Sequence, residues 1–176
     1  AASDVYKRQG TQINEGSDKM RKMKRVEDSR TENTYLIMNK HINSYGRLFG
    51  GVLMQWIDEM AGIVAHRHAG TIVTTACVDN LNFKAGAYLG NTVVLIGKMT
   101  YVGRTSMEVR IDTYVEDSDG MRKMINRAYE VMVALDENDN KVEVPGLIVE
   151  TEAEKAEWQG AEKRYALRKK RRIEGF

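Results

Sequence analysis

The sequence predicts an α+β protein in one domain: a curved antiparallel sheet wrapped around a single central helix, with a second, charged helix closing the chain. Three observations carry this. An amphipathic helical stretch covers residues 51–67, a run of strand-like segments broken by turn signals covers 71–135, and a stretch rich in Ala, Glu and Lys covers 152–171. At 176 residues the chain is long enough to bury one sizeable core and too short for a comfortable second domain.

Residues 1–30 are polar and charged without sustained periodicity and read as a tail; Ala1 to Gln9 are set aside from the fold reasoning. The domain is expected over 31–148 and the closing charged helix over 149–176. Thr34-Tyr35-Leu36-Ile37-Met38 is an apolar run of strand length, and the glycine-rich loop after it contains Gly46, Gly50 and Gly51. Beyond the loop, Leu53, Trp56, Ile57, Met60 and Val64 fall within one arc of a helical wheel, with Gln55, Glu59 and His66 on the far side. Ala69-Gly70 ends the helix.

The strands follow. Residues 71–78 are rich in β-branched side chains, and 92–102 are almost continuously apolar, as in a strand covered on both faces. Met107, Val109, Ile111 and Val115 alternate with Glu108, Arg110 and Asp112, the pattern of a half-exposed strand, and 124–135 is another long strand. Turn signals at Leu89-Gly90-Asn91, Val102-Gly103-Arg104 and Asp117-Ser118-Asp119-Gly120 are spaced as in a meander of antiparallel hairpins. One helix covers only one face of such a sheet, so the other face and an edge are expected to meet another subunit.

Composition narrows the function classes. The chain is 42% hydrophobic and 30% charged, a globular profile, and no segment approaches the roughly 20 apolar residues of a spanning helix. A cytoplasmic protein without membrane association is expected. Cys77 is the single cysteine, which excludes an intrachain disulfide, and its apolar neighbours favour a buried small hydrophobe over a nucleophile. His66 and His68, two apart on a helix, point to different faces, so no metal site is expected. Residues 163–176 carry a net charge of +6, leaving −4 for the rest of a chain whose total is +2. Such a run is more often a solvated helix end, where basic side chains favour the dipole, than a polyanion site.

The chemistry concentrates between His41 and Gly62. Gly50 and Gly51 permit close backbone approach, and the free N–H groups of the first helical turn can hold a carbonyl oxygen as it becomes an oxyanion. Asp58 lies on the flank of the apolar arc beside Met54, Gly62 and Ala65, where a carboxylate is costly unless hydrogen-bonded or employed. Asn43 supplies a neutral amide able to orient a water or a carbonyl. From spacing alone these remain open to ordinary structural roles: a turn, a solvated carboxylate, a loop cap.

The pattern His41-x-Asn43-x-x-Gly46-x-Leu48-Phe49-Gly50-Gly51, with Asp58 seven residues later, closely resembles the hotdog-fold acyl-CoA thioesterases of the YciA-like and brain acyl-CoA hydrolase group. The likeness continues through Val78-Asp79-Asn80-Leu81-Asn82-Phe83, the Gly90 turn and Val102-Gly103-Arg104-Thr105-Ser106, covering roughly residues 31–137. The resemblance implies a hotdog fold and a hexamer built as a trimer of dimers. It implies Asp58 as the catalytic carboxylate, general base or nucleophile, with Asn43 supplied by a neighbouring subunit and N–H groups near Gly51 polarising the carbonyl. It also places coenzyme A binding at Gly103, Arg104, Thr105 and Ser106, with Thr105 standing where the family has serine. No cofactor is expected beyond the coenzyme A of the substrate, and fatty acid metabolism is the implied setting.

Rival readings are a non-hydrolytic acyl-CoA sensor, a hotdog dehydratase and a nucleic-acid binder. The first would leave the Asp58 carboxylate without a task, and the second wants a histidine paired with a carboxylate. The third rests only on the basic end, where aromatic interleaving is limited to Tyr165 with Trp158 upstream.

Overall fold

The computed structural model describes residues 21–175. In chain order the elements are β1 (Met23–Arg25), β2 (Thr31–Leu36), α1 (Gly50–Ala69), β3 (Ile72–Phe83), β4 (Thr92–Val102), β5 (Ser106–Glu116), β6 (Arg122–Leu135), β7 (Gly146–Ile148) and α2 (Glu152–Glu174). Five strands form one antiparallel sheet in the order β2-β4-β5-β6-β3. The hairpins β4-β5 and β5-β6 turn at the expected signals, and β3 runs five residues beyond the predicted stretch. No helix among the described residues is long and apolar enough to cross a membrane.

The apolar arc of α1 does what its period predicts. Leu53, Trp56, Ile57, Met60, Ala61, Val64 and Ala65 are buried against the inward side chains of the sheet, among them Val93, Leu95, Met107, Val109, Ile111, Ala128 and Met132. Burying each large member contributes about 1.5–3 kcal/mol, which outweighs the modest helix propensity of Val and Ile. Trp56 also stacks on Tyr35 of β2, ring centroids 4.3 Å apart, and meets the His41 ring edge-on at 5.1 Å. The closest approach is at Gly97 in β4. A Cβ there would come within 2.8 Å of both Met60 Cγ and Val64 Cγ2, so α1 sits at a depth only glycine permits.

The other face of the sheet differs from the sequence expectation. It is covered by α2, and the alternating polar residues of β5 are not solvated. Glu108 is 1% exposed and accepts from Thr100 Oγ1 at 2.9 Å, Arg164 Nη2 at 2.8 Å and Arg168 Nη1 at 2.7 Å. Asp79 accepts from Arg168 and Arg171, while Asp112 accepts from Arg110 and Arg127 at 2.5 and 2.6 Å. Trp158 and Tyr165 of α2 pack on Tyr101, and the Arg164 guanidinium lies 3.7 Å over the Tyr129 ring. The period-2 pattern correctly reports two unlike faces; the polar one is paired with arginines rather than with water. The basic end of the chain accordingly divides: Arg164, Arg168 and Arg171 are held by Glu108 and Asp79, while Lys163, Lys169, Lys170 and Arg172 are exposed, as in a solvated helix end. Thr151 caps α2 by accepting from the Glu154 N–H, and Glu154 reaches back to the Thr151 N–H.

The tail expectation is corrected for residues 21–30; residues 1–20 of that tail lie outside the described residues. β1 pairs parallel with β7, Val26 is buried, and Arg21 donates to the carbonyls of Val144 and Gly103 at 2.8 and 2.5 Å. These contacts are made by backbone and by one arginine, so they leave no apolar period in the sequence. What remains open is an edge. β3 pairs only with β6, its outer edge is unpaired among the described residues, and Ile72, Val78 and Phe83 on it are exposed. Cys77, expected to be buried, is half-buried because it lies on this edge strand.

Gly97→Val should lower the free energy of unfolding by about 1–3 kcal/mol through overpacking against Met60 and Val64. Urea denaturation measures it, and an unchanged midpoint would mean that α1 has room to lift.

Candidate active site

The loop before α1 is a small folded unit. Ile42 and Leu48 pair across it, the Asn43 N–H donates to the Arg47 carbonyl at 2.8 Å, and Gly46 turns the chain at φ +71°. Asn43 Oδ1 accepts from the Tyr45 and Arg47 N–H groups at 2.9 and 3.2 Å. Its oxygen is therefore committed to the loop, and the side-chain NH2 has no acceptor among the described residues. Asn43 is built to donate.

α1 begins at Gly50 with Phe49 as its N-cap. The Val52 and Leu53 N–H groups both reach the Phe49 carbonyl, at 3.0 and 3.2 Å. The two foremost donors, Gly50 N–H and Gly51 N–H, head the helix without an intrahelical acceptor. A Cβ on Gly51 would meet the Phe49 ring at 2.6 Å, and one on Gly50 would lie 3.7 Å from Phe83 Cζ. Two phenyl rings thus hem in a pair of open N–H donors, an arrangement suited to a developing oxyanion.

Asp58 lies two turns further along α1 and is exposed. Its Oδ1 accepts from Thr75 Oγ1 of β3 at 2.5 Å. Glu130 of β6, 1% exposed and with an Oε2 that has no partner among the described residues, lies within hydrogen-bonding reach of the Asp58 side chain. Burial first, then the charge of Asp58, push the Glu130 carboxyl up to about 7. Gly62, one turn beyond Asp58, faces open space, so the room expected beside the carboxylate is present. Thr75 and Glu130 escaped the sequence reading. Nothing distinguishes Thr75 from Thr74 in a β-branched run, whereas Glu130, flanked by Tyr129 and Val131 in an apolar strand, was a visible misfit.

Gly103, Arg104, Thr105 and Ser106 form the β4-β5 turn. The Gly103 N–H donates to the Ser106 carbonyl at 2.8 Å, and the Arg104 and Thr105 carbonyls accept from Val144 and Ala134, each at 3.0 Å. Backbone contacts thereby fix the turn, while the Arg104 side chain is exposed with no ion-pair partner among the described residues. Ser106, the last residue of the turn and the first of β5, lies three residues along the strand from Val109, the neighbour of Glu130, a separation of about 10 Å at 3.3 Å per residue. His66 and His68 engage different carbonyls, Thr71 at 2.8 Å and Pro145 at 2.9 Å.

In one chain Asn43 and Asp58 make separate hydrogen bonds and share no partner. Gly51 and Asp58 are seven residues apart on one helix, about 10 Å along its axis.

Compared with known proteins, residues 45–121 match the sequence profile of the thioesterase superfamily. The cytosolic acyl coenzyme A thioester hydrolase of Homo sapiens is 33% identical over 150 residues, covering 84% of this chain and 40% of that protein, so the chain spans well under half of this relative. The acyl-CoA hydrolase of Staphylococcus aureus, solved with butyryl coenzyme A, coenzyme A and coenzyme A disulfide, superposes with a TM-score of 0.83 at 32% identity, covering 87% of this chain and 94% of that one. Solved variants of that enzyme have an asparagine, an aspartate and a threonine replaced by alanine, the aspartate 15 residues after the asparagine and the threonine 17 after the aspartate. A hexameric acyl-CoA thioesterase solved without ligand superposes at 0.82 with 37% identity, covering 85% and 97% of the two chains.

The raised Glu130 carboxyl has a consequence for stability. Between roughly pH 4.5, where the unfolded chain releases this proton, and about 7, where the folded chain does, stability falls as pH rises. Glu130→Gln should therefore raise the thermal midpoint above wild type at pH 8, by the equivalent of about 3 kcal/mol. The gain should vanish near pH 4.5. Thermal melts across this range check it, and coincident midpoints at pH 8 would contradict it.

Proposed function

This chain belongs to the thioesterase superfamily, and we propose that it hydrolyses acyl-CoA thioesters to free coenzyme A and a carboxylic acid, at a site shared between two subunits. The observation that carries this reading is the set Asn43, Asp58 and Thr75, whose spacings of 15 and 17 residues repeat those of the asparagine, aspartate and threonine altered in the Staphylococcus aureus enzyme. In this reading the thioester carbonyl oxygen is held by the Gly51 N–H and the Asn43 NH2, while Asp58 acts as general base on a water or as nucleophile on the carbonyl carbon. Thr75 orients the Asp58 carboxylate through its hydroxyl.

The two-chain site follows from distance. An oxyanion donor and a base both work within about 3 Å of the reacting atoms. Gly51 and Asp58 of one helix lie too far apart for that, so the Asn43 and Gly51 half of one chain is completed by Asp58 of another. The open β3 edge beside Asp58 offers the contact, and a hexamer, as in the hexameric relative, is the assembly we favour. Arg104 is the phosphate contact for coenzyme A, because a guanidinium free of carboxylates pairs with phosphate bidentately. A cytosolic setting, as in the human relative's name, belongs to the same reading. The non-hydrolytic alternative is not favoured, and nucleic-acid binding loses its main support, since three of the arginines behind it are held in ion pairs.

Asp58→Ala should lower turnover by about 10²–10⁴ with the fold intact, read as free thiol released from a panel of acyl-CoAs from acetyl to palmitoyl. Co-expression of Asn43→Ala and Asp58→Ala chains should restore about a quarter of the wild-type sites, because half of the sites in a mixed two-fold pair hold both residues. A mixture as inactive as its parents would place the site within one chain. Arg104→Ala should raise KM for acyl-CoA well above its effect on a pantetheine thioester lacking the nucleotide. Equal effects on both would remove Arg104 from the substrate contacts.

A further inference from the structure

We propose that Glu130 is a positioning residue for Asp58, a buried carboxyl whose O–H is donated to the Asp58 carboxylate and holds it aimed. The inference rests on the reading of Asp58 as the catalytic group.

The argument begins with placement. Glu130 sits on β6 in register with Val109 of β5 and Val78 of β3, in the row of side chains that faces α1. It is 1% exposed, and its Oε2 is fully buried without a donor among the described residues. An ionised carboxylate there would be an uncompensated buried charge, so the group keeps its proton. A neutral carboxyl carries one O–H, and the acceptor it touches is Asp58. Asp58 is solvent-exposed and accepts a further hydrogen bond from Thr75, so its side chain is already set as an acceptor. The proton that burial keeps on Glu130 therefore points at Asp58.

No other titratable group faces the pair among the described residues. β3 presents Thr75 and Val78, and β5 presents Val109. Asp79 and Glu108 lie on the opposite face of the sheet, bound to the arginines of α2. Burial and the Asp58 charge bring the Glu130 proton to about 7, so the singly protonated pair persists up to neutral pH. Above that, Asp58 loses a donor and gains a like charge beside it. Its carboxylate is then pushed away from the position Thr75 and Glu130 set.

Two variants test this, assayed as the intact oligomer from pH 5.5 to 9 with Asp58→Ala in parallel. Glu130→Gln keeps the shape and a donor but cannot titrate; Glu130→Met removes the donor. Wild-type kcat should fall on the alkaline side with an apparent pKa near 7. Glu130→Gln should abolish that fall while costing less than about tenfold in kcat at pH 6. Glu130→Met should lower kcat about 10- to 100-fold there, with KM little changed, as loss of one hydrogen bond to a charged group implies. A Glu130→Gln profile that keeps the wild-type alkaline fall overturns the inference, as does a wild-type profile flat across neutrality. If either occurs while Asp58→Ala is inactive, the Asp58 reading survives alone. Full turnover in Asp58→Ala instead removes that reading and this inference together.

Discussion

The depth at which α1 seats on the sheet is the constraint from which the rest of the molecule takes its geometry. At Gly97 the backbone of β4 lies directly beneath Met60 and Val64, with no side chain between. Deep seating brings the whole buried arc of α1 into contact and fixes the height of every residue on the helix flank. Asp58 meets Thr75 and Glu130 because of that height, and Gly50 and Gly51 are presented between Phe49 and Phe83 because the helix starts where it does. Lifting the helix by one methyl group would move the carboxylate away from its hydroxyl before any core residue became exposed. Interiors packed at crystal-like density transmit such shifts rather than absorbing them.

The second helix obeys different physics. α1 is held by area removed from water, whereas α2 lies on a face carrying Glu108 and Asp79, and supplies arginines to them. Such pairs recover their desolvation cost only when the geometry is good and the remaining lone pairs are occupied. Glu108 meets that condition with a threonine and two arginines on one carboxylate. The reward is orientation more than net energy: a charged layer matches in one register, where an apolar layer would tolerate several.

Much of this was legible in the sequence, and the illegible parts share a cause. Periodicity located α1 and the long strands because each buries a continuous face, whereas α2 showed only in its Ala, Glu and Lys content. The pairing of β1 with β7 was invisible, since it is made by backbone groups that carry no pattern of their own. The polar face of β5 looked solvated because a period reports that two faces differ and not what covers them. At the site, Asn43, Gly51 and Asp58 stood out by type and position near the helix start. Which atom of Asn43 is free, and the partnership of Asp58 with Thr75 and Glu130, depend on contacts between segments far apart in the chain. Glu130 was nonetheless a clue in plain view, a carboxylate in a run of apolar strand residues.

The carboxylate and arginine layer under α2 behaves unlike the rest of the molecule on heating. The hydration of charged groups becomes less favourable as temperature rises, so the penalty for keeping them dry shrinks while apolar burial per unit area levels off. The grip of α2 on the sheet should therefore strengthen relative to that of α1 as the protein warms. Added salt should do little to loosen it, because Glu108 and Asp79 are shielded from mobile ions. The closing helix, which by composition reads as the most soluble and detachable part of the chain, is in these terms a heat-tolerant clasp.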